Sequence, residues 1–300
     1  MTRVRATLGS LVRGHVPEAV TSRVPPRIKA RLRSILGIEP WPDLAVRHPL
    51  FRSRDFREIR QAARVFDVPK PTKPILERGH QASFLLARWL AAAGVRSAFQ
   101  IGYADGRYLF YLTRTGIMCG GTDLPEDETA WVRVPDPGLD EATRRRLLRV
   151  DFFELTPADI RSAMGIPVDG AVDVLFSEAT FETMLPWRSG GASVPGYLAL
   201  GTATLRALMH ERFPAKLGEL GACARNMIFI EPEPAAGGAG VVFSECARRL
   251  PGWTSGVWEF RSPFDRLLRL SPRFPTRQTV YAFTRDGRLL DALRPYAVPM

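Results

Sequence analysis

The chain reads as an α/β protein with a mainly parallel, doubly wound sheet and a basic helical extension at its N-terminus. Three observations predict this. A strand, a glycine turn, a helix and a second strand follow one another within residues 95–123. Two further apolar runs, Val172–Ser177 and Asn226–Ile230, recur downstream with helical patterning between them. Charge is also segregated: residues 1–80 hold 17 Lys/Arg against 7 Asp/Glu, nearly all of the net +11, so the sheet-forming part is close to neutral.

Residues 1–24 present no firm element. Pro25-Pro26 then sets up a helix over Arg27–Leu36, which Gly37 stops. Its apolar stripe is Ile28, Leu32, Ile35 and Leu36, with arginines elsewhere on its surface. Either the stripe docks on the main domain and the arginines face water, or the helix lies on an anionic surface, lipid or nucleic-acid phosphate. Asp55 and Glu58 open a second amphipathic helix, Phe56–Phe66. Pro69, Pro71 and Pro74 then exclude a helix and mark a linker. The domain boundary is placed there: an extension over 1–75 and a main domain over 76–300.

A helix runs from Gly79 to Ala93, with Leu85, Leu86, Trp89, Leu90 and Ala93 at helical spacing and Gly94 as its stop. His80 and Gln81 stand at its start. His80 is a candidate general base, because imidazole titrates near neutral pH; otherwise it is a helix-end histidine. Val95, Ala98, Phe99 and Ile101 form the next strand, which ends in Gly102 and Gly106. Asp105 opens a helix carrying Leu109, Phe110 and Leu112, and a strand over Ile117–Thr122 ends on Asp123. This layout seats a nucleoside against the carboxyl ends of parallel strands. The glycines allow φ > 0 and close approach of backbone to ligand. Asp123, 21 positions after Gly102, can accept hydrogen bonds from both ribose hydroxyls.

A dinucleotide fingerprint would read G-x-G-x-x-G, whereas Gly102 is followed by Tyr103, Ala104, Asp105 and Gly106. The run Gln100-Ile101-Gly102-Tyr103-Ala104-Asp105-Gly106 resembles motif I of class I S-adenosylmethionine-dependent methyltransferases, acid-x-Gly-x-Gly-x-Gly. Two positions depart from it: Gln100 stands in place of the acid, and Ala104 in place of the middle glycine. Gln100 can still orient backbone or water, but lacks the charge that favours the cofactor's cationic end. The resemblance extends over about residues 76–290. Val150-Asp151-Phe152 resembles the family's third-strand end, which implies adenine recognition by Asp151 and the following backbone N–H. Asp151 is otherwise a turn acid.

Before that segment the sequence gives an acidic loop, Leu124–Gly138, and a helix over Asp140–Leu147; after it, Thr156-Pro157-Ala158-Asp159 caps a short helix. Val172–Ser177 looks like the family's fourth strand, whose end at Ser177, Glu178 and Ala179 borders cofactor and acceptor. Glu178 and Glu182 are the nearest carboxylates to the implied reaction centre; each either deprotonates a hydroxyl or only bonds loop backbone. No Asn/Asp-Pro-Pro-aromatic run follows, and there is no Pro-Cys nucleophile, which disfavours nucleobase N-methylation and cytosine C5 chemistry. A long loop over 181–196 carries Trp187 and Arg188. Then come a helix over Gly196–Arg212, the strand Asn226–Ile230 and a glycine-rich loop over Ala235–Gly240. The last β-rich runs, Gly256–Phe260 and Gln278–Phe283, resemble the family's closing antiparallel pair.

The resemblance therefore implies a seven-stranded sheet with an antiparallel last strand and helices on both faces. It implies S-adenosylmethionine held by Gln100, Gly102, Tyr103, Ala104, Gly106, Asp123, Asp151, Phe152 and Ser177, with His80, Glu178 and Glu182 as catalytic candidates. The expected reaction is O-methylation of a small molecule or glycan; the alternatives are RNA methylation, or a binding protein without turnover that uses the basic extension. Three widely spaced cysteines without a C-x-x-C pair argue against a disulfide framework and a zinc site, so no structural metal is expected. Apolar runs are broken by Arg88 and Arg206, and no signal-type segment opens the chain, which reads as cytoplasmic with its extension able to reach a membrane surface.

Overall fold

The computed structural model describes residues 78–104, 106–124, 139–178, 180–181, 197, 199–231, 238–260, 279–294 and 297–299. The two N-terminal helices, the proline linker with its boundary, Asp105, the 125–138 loop, and Glu182, Trp187 and Arg188 lie outside the described residues.

Eight strands among the described residues form one sheet in the order β3-β2-β1-β4-β5-β7-β6-β8. They are β1 (Ser97–Ile101), β2 (Met118–Asp123), β3 (Leu147–Arg149), β4 (Val172–Glu178), β5 (Ala224–Glu231), β6 (Thr254–Phe260), β7 (Thr279–Thr284) and β8 (Ala297–Pro299). Strands β1 to β5 are parallel, and β7 inserts antiparallel between β5 and β6. A seven-stranded, mainly parallel sheet with a reversed last strand is the expected arrangement. The short β8, antiparallel to β6 at the edge, adds an eighth strand that the sequence did not predict.

Side chains alternate across the sheet with the period of a strand, and the two faces feed separate cores. On one face Phe99, Ile101, Leu175, Met227, Phe229 and Phe283 meet α4 (Pro157–Met164), α5 (Thr202–Ala207), α6 (Phe213–Leu220) and α7 (Gly238–Arg249). On the other, Ala98, Val174, Phe176, Ile228 and Val280 meet α1 (Arg78–Ala92), α2 (Arg107–Arg114) and α8 (Arg288–Leu293). The doubly wound expectation holds. Buried Trp89 fixes α8 to α1 by donating from Nε1 to the Leu289 carbonyl at 2.7 Å.

Several boundaries differ from the sequence reading for local reasons. The helix expected over Asp140–Leu147 is one turn, α3 (Glu141–Arg144), capped by Asp140 Oδ1 accepting from Thr143 N–H at 2.6 Å; Leu147 pairs instead with Gly121 in the sheet. The helix expected to end at Arg212 continues to Leu220 through a π turn over Leu208–Arg212. Pro214 has no N–H to donate, and the widened turn before it lets the helix pass. The glycine-rich loop over 235–240 is corrected at its end, because Gly238 and Gly240 already belong to α7. Thr156 and Asp159 do form the expected cap, a reciprocal capping box at the head of α4.

Candidate functional site

The carboxyl ends of β3, β2, β1 and β4 lie side by side, so the loops leaving them share one edge of the sheet. The turn after β1 is strongly left-handed: φ is +68° at Gly102, +46° at Ala104 and +76° at Gly106. Both glycines were expected to need that conformation, and they do. Ala104 takes it with a side chain, at a cost of about 1–2 kcal/mol.

What the missing Cβ atoms make room for is a correction to the sequence reading. A Cβ on Gly102 would stand 2.9 Å from Thr180 Cβ and nearer still to both of its branches; one on Gly106 would stand 2.9 Å from Leu139 Cδ1. In this structure both glycines admit protein side chains. Thr180 is held there by donating Oγ1–H to the carbonyls of Ile101 (3.1 Å) and Glu178 (3.2 Å). The open side of the turn is instead its Ala104–Asp123 edge, where Ala104 is exposed.

Asp123 ends β2 and turns its carboxylate back onto this turn. Oδ2 accepts from the Ala104 N–H at 2.6 Å and Oδ1 from the Leu124 N–H at 2.8 Å. Burial raises its pKa above the ordinary aspartate value, and those two N–H groups and the Arg149 charge only offset this in part. Arg149 donates to the Leu124 carbonyl at 3.4 Å and lies 5.2 Å over the Tyr103 ring, closing that side. A carboxylate has about four acceptor positions, so two remain for a diol after the backbone is satisfied.

Gln100 is 2% exposed and donates Nε2–H to the Gly102 carbonyl at 3.2 Å, the backbone-orienting role expected of it. Its Oε1 is buried without a hydrogen bond, as is Ser177 Oγ at the end of β4. Ser177 Oγ is a hydroxyl on the opposite face of the sheet from Gln100; the orphaned Gln100 oxygen and the spare capacity of the Asp123 carboxylate fit a ligand rich in hydroxyl and N–H donors.

The other expected site residues divide. Asp151 follows β3, accepting from the Phe153 N–H at 2.7 Å and from the Tyr197 hydroxyl at 2.6 Å. The ring of Phe152 is buried among Phe153, Phe181 and Phe213, so only its backbone is available to a ligand. Glu178 ends β4 and is half-buried. His80 lies in the first turn of α1, and Glu182 is outside the described residues. Sequence reasoning missed Thr180, Tyr197 and Arg149. Among the described residues no group of three or more His, Cys, Asp or Glu could hold a metal, and no helix is long and apolar enough to cross a membrane.

No family model and no curated protein matches the chain. Among solved structures it is similar to the methyltransferase domain of bacterial CtHen1, at 12% identity over 69% of this chain and 100% of that one, with a TM-score of 0.43. It is similar to the plantazolicin methyltransferase BpumL, solved with a pentazolic desmethylPZN analogue and SAH, at 10% identity over 86% and 99% of the two chains, TM-score 0.42. A Bacillus cereus O-methyltransferase in complex with SAH is 12% identical over 77% and 91%, TM-score 0.37. These likenesses are distant and concern the course of the backbone.

Proposed function

We propose that this chain is an S-adenosylmethionine-dependent methyltransferase that modifies a hydroxyl of a small molecule or glycan. The observation that carries the reading is the Asp123 carboxylate, delivered by β2 onto the left-handed turn between β1 and α2 with half its acceptor positions unused. When bound, the cofactor supplies an electrophilic sulfonium methyl. The chain's own residues bind and align: Asp123 holds the ribose hydroxyls, Arg149 and Tyr103 close the flank beside it, and the ends of β1 and β4 border the reacting group. A base at the same edge takes the proton of the acceptor hydroxyl.

A second reading, a binding protein that has lost turnover, is favoured by one feature: Thr180 packs on Gly102, where an approaching cofactor would otherwise meet bare backbone. Titration calorimetry and a methyl-transfer assay separate the two. The proposal expects saturable binding of S-adenosylmethionine by the full chain, together with label transfer to a hydroxylated acceptor. Asp123→Ala should weaken binding by about tenfold or more, the worth of hydrogen bonds to a charged group. Absence of heat at millimolar cofactor refutes the first reading and leaves the second, as does binding with no transfer to any acceptor.

A further inference from the structure

The winding of the sheet reverses between β1 and β4, since the chain leaves β1 toward β2 and leaves β4 toward β5. In open parallel sheets the crevice at such a reversal, outside the carboxyl ends of the two strands, is where ligands seat. In this chain a side chain spans it. Thr180 follows β4 by two residues and turns back onto the end of β1. Its hydroxyl proton is shared between the Ile101 carbonyl at 3.1 Å and the Glu178 carbonyl at 3.2 Å, one from each strand. Its branches press on Gly102, so closely that a Cβ there would stand 2.5 Å from Thr180 Cγ2 and 2.9 Å from Thr180 Cβ. Fixed points on both sides bring the threonine to this place. Glu178 is still in register with Ile230 of β5, and Phe181 is fully buried, its ring centroid 4.8 Å from that of Phe152 and 4.7 Å from that of Phe213.

The contact is cheap to break. One proton serves two carbonyls, so the hydrogen bonding is worth about that of a single neutral bond, a factor of roughly two to ten in an equilibrium. Thr180 is also only half-buried. We infer that Thr180 makes an autoinhibitory contact: its hold on Ile101 and Gly102 and the seating of a ligand in the β1–β4 crevice exclude one another. Gly102 serves both partners, admitting the threonine branches in one arrangement and the ligand in the other. The apparent affinity is then the intrinsic one reduced by the fraction of chains in which the contact is broken. The inference rests on the proposed cofactor as the ligand of this crevice.

Calorimetry and stopped-flow binding of S-adenosylmethionine to the full chain and two variants test this, with a cooperative urea transition reporting that each variant is folded. Thr180→Ala, which removes both branches and the donor, should bind about two- to tenfold more tightly, the gain appearing in the association rate with dissociation unchanged. Thr180→Val keeps the branches on Gly102 and loses the donor, so it should gain less than Thr180→Ala. Unchanged affinity in Thr180→Ala, or a gain through slower dissociation, overturns the inference. Weaker binding by both variants makes the hydroxyl a ligand contact and overturns it as well. Failure of the unaltered chain and of both variants to bind at millimolar ligand overturns the cofactor reading beneath it.

Discussion

Gly102→Ala tests how the turn after β1 is built. The residue sits at φ +68°, where a side chain costs about 1–2 kcal/mol. The new Cβ would also lie 2.9 Å from Thr180 Cβ. Threonine is branched at that atom, so no rotation of its side chain clears the overlap, and its hydroxyl is tied to the carbonyls of Ile101 and Glu178. Overpacking of this kind costs about 1–3 kcal/mol, so the single variant should lose roughly 2–5 kcal/mol. Thr180→Ala alone should lose about 0.5–1.5 kcal/mol for its hydrogen bonds. In Gly102→Ala/Thr180→Ala the two nearest contacts, with the branches of Thr180, are gone and the Cβ contact at 2.9 Å remains, so the double variant should be about 1–2 kcal/mol more stable than the two single losses added together. Urea unfolding of the full chain measures all four corners of this cycle. Additivity within about 0.5 kcal/mol would refute the contact and the reason given for glycine at 102.

Ala104 pays for its left-handed conformation without needing its methyl group, so Ala104→Gly should raise the urea midpoint by the equivalent of roughly 0.5–1 kcal/mol; a lower midpoint would contradict the strain. Asp123 has a folded pKa raised by burial, so folding favours its protonated form. Its contribution to stability is fully present below the ordinary value of 3.8 and is lost as pH rises through the raised value. Asp123→Asn should flatten the stability–pH curve over that window, and an unchanged curve would count against the burial. Phe213 packs 4.7 Å from Phe181 and 5.4 Å from Phe152, fully buried; Phe213→Ala should cost about 3–5 kcal/mol in the same urea assay, and a loss under 1 would mean the cluster collapses to fill the gap.

Strands β1, β4, β5 and β7 were legible because they are almost entirely buried, largely apolar runs, and a run such as Val172–Ser177 has few other readings. Reversed β7 was implied by the family resemblance of the last two β-rich runs, not by their composition. Strand β8 was not: three residues, Ala297–Pro299, carry no periodicity, and their place depends on pairing with β6. Leu147 was assigned to a helix because its sequence neighbours favour one; its pairing with Gly121 is a tertiary choice that local pattern does not record.

In the site, Asp123 and the conformation of the glycine turn followed from spacing. The occupants of the space did not. Thr180 lies 78 positions from Gly102, and Tyr197 lies 46 from Asp151, and nothing in either stretch announces the meeting. The orphaned Gln100 oxygen also needed coordinates, since only the Gly102 carbonyl decides which end of the amide is left without a hydrogen bond.

A crystal structure of the full chain with S-adenosylhomocysteine measures the central claim most directly. The account predicts both ribose hydroxyls on the Asp123 carboxylate. Ligand bound elsewhere, or a ribose turned away from Asp123, would contradict it.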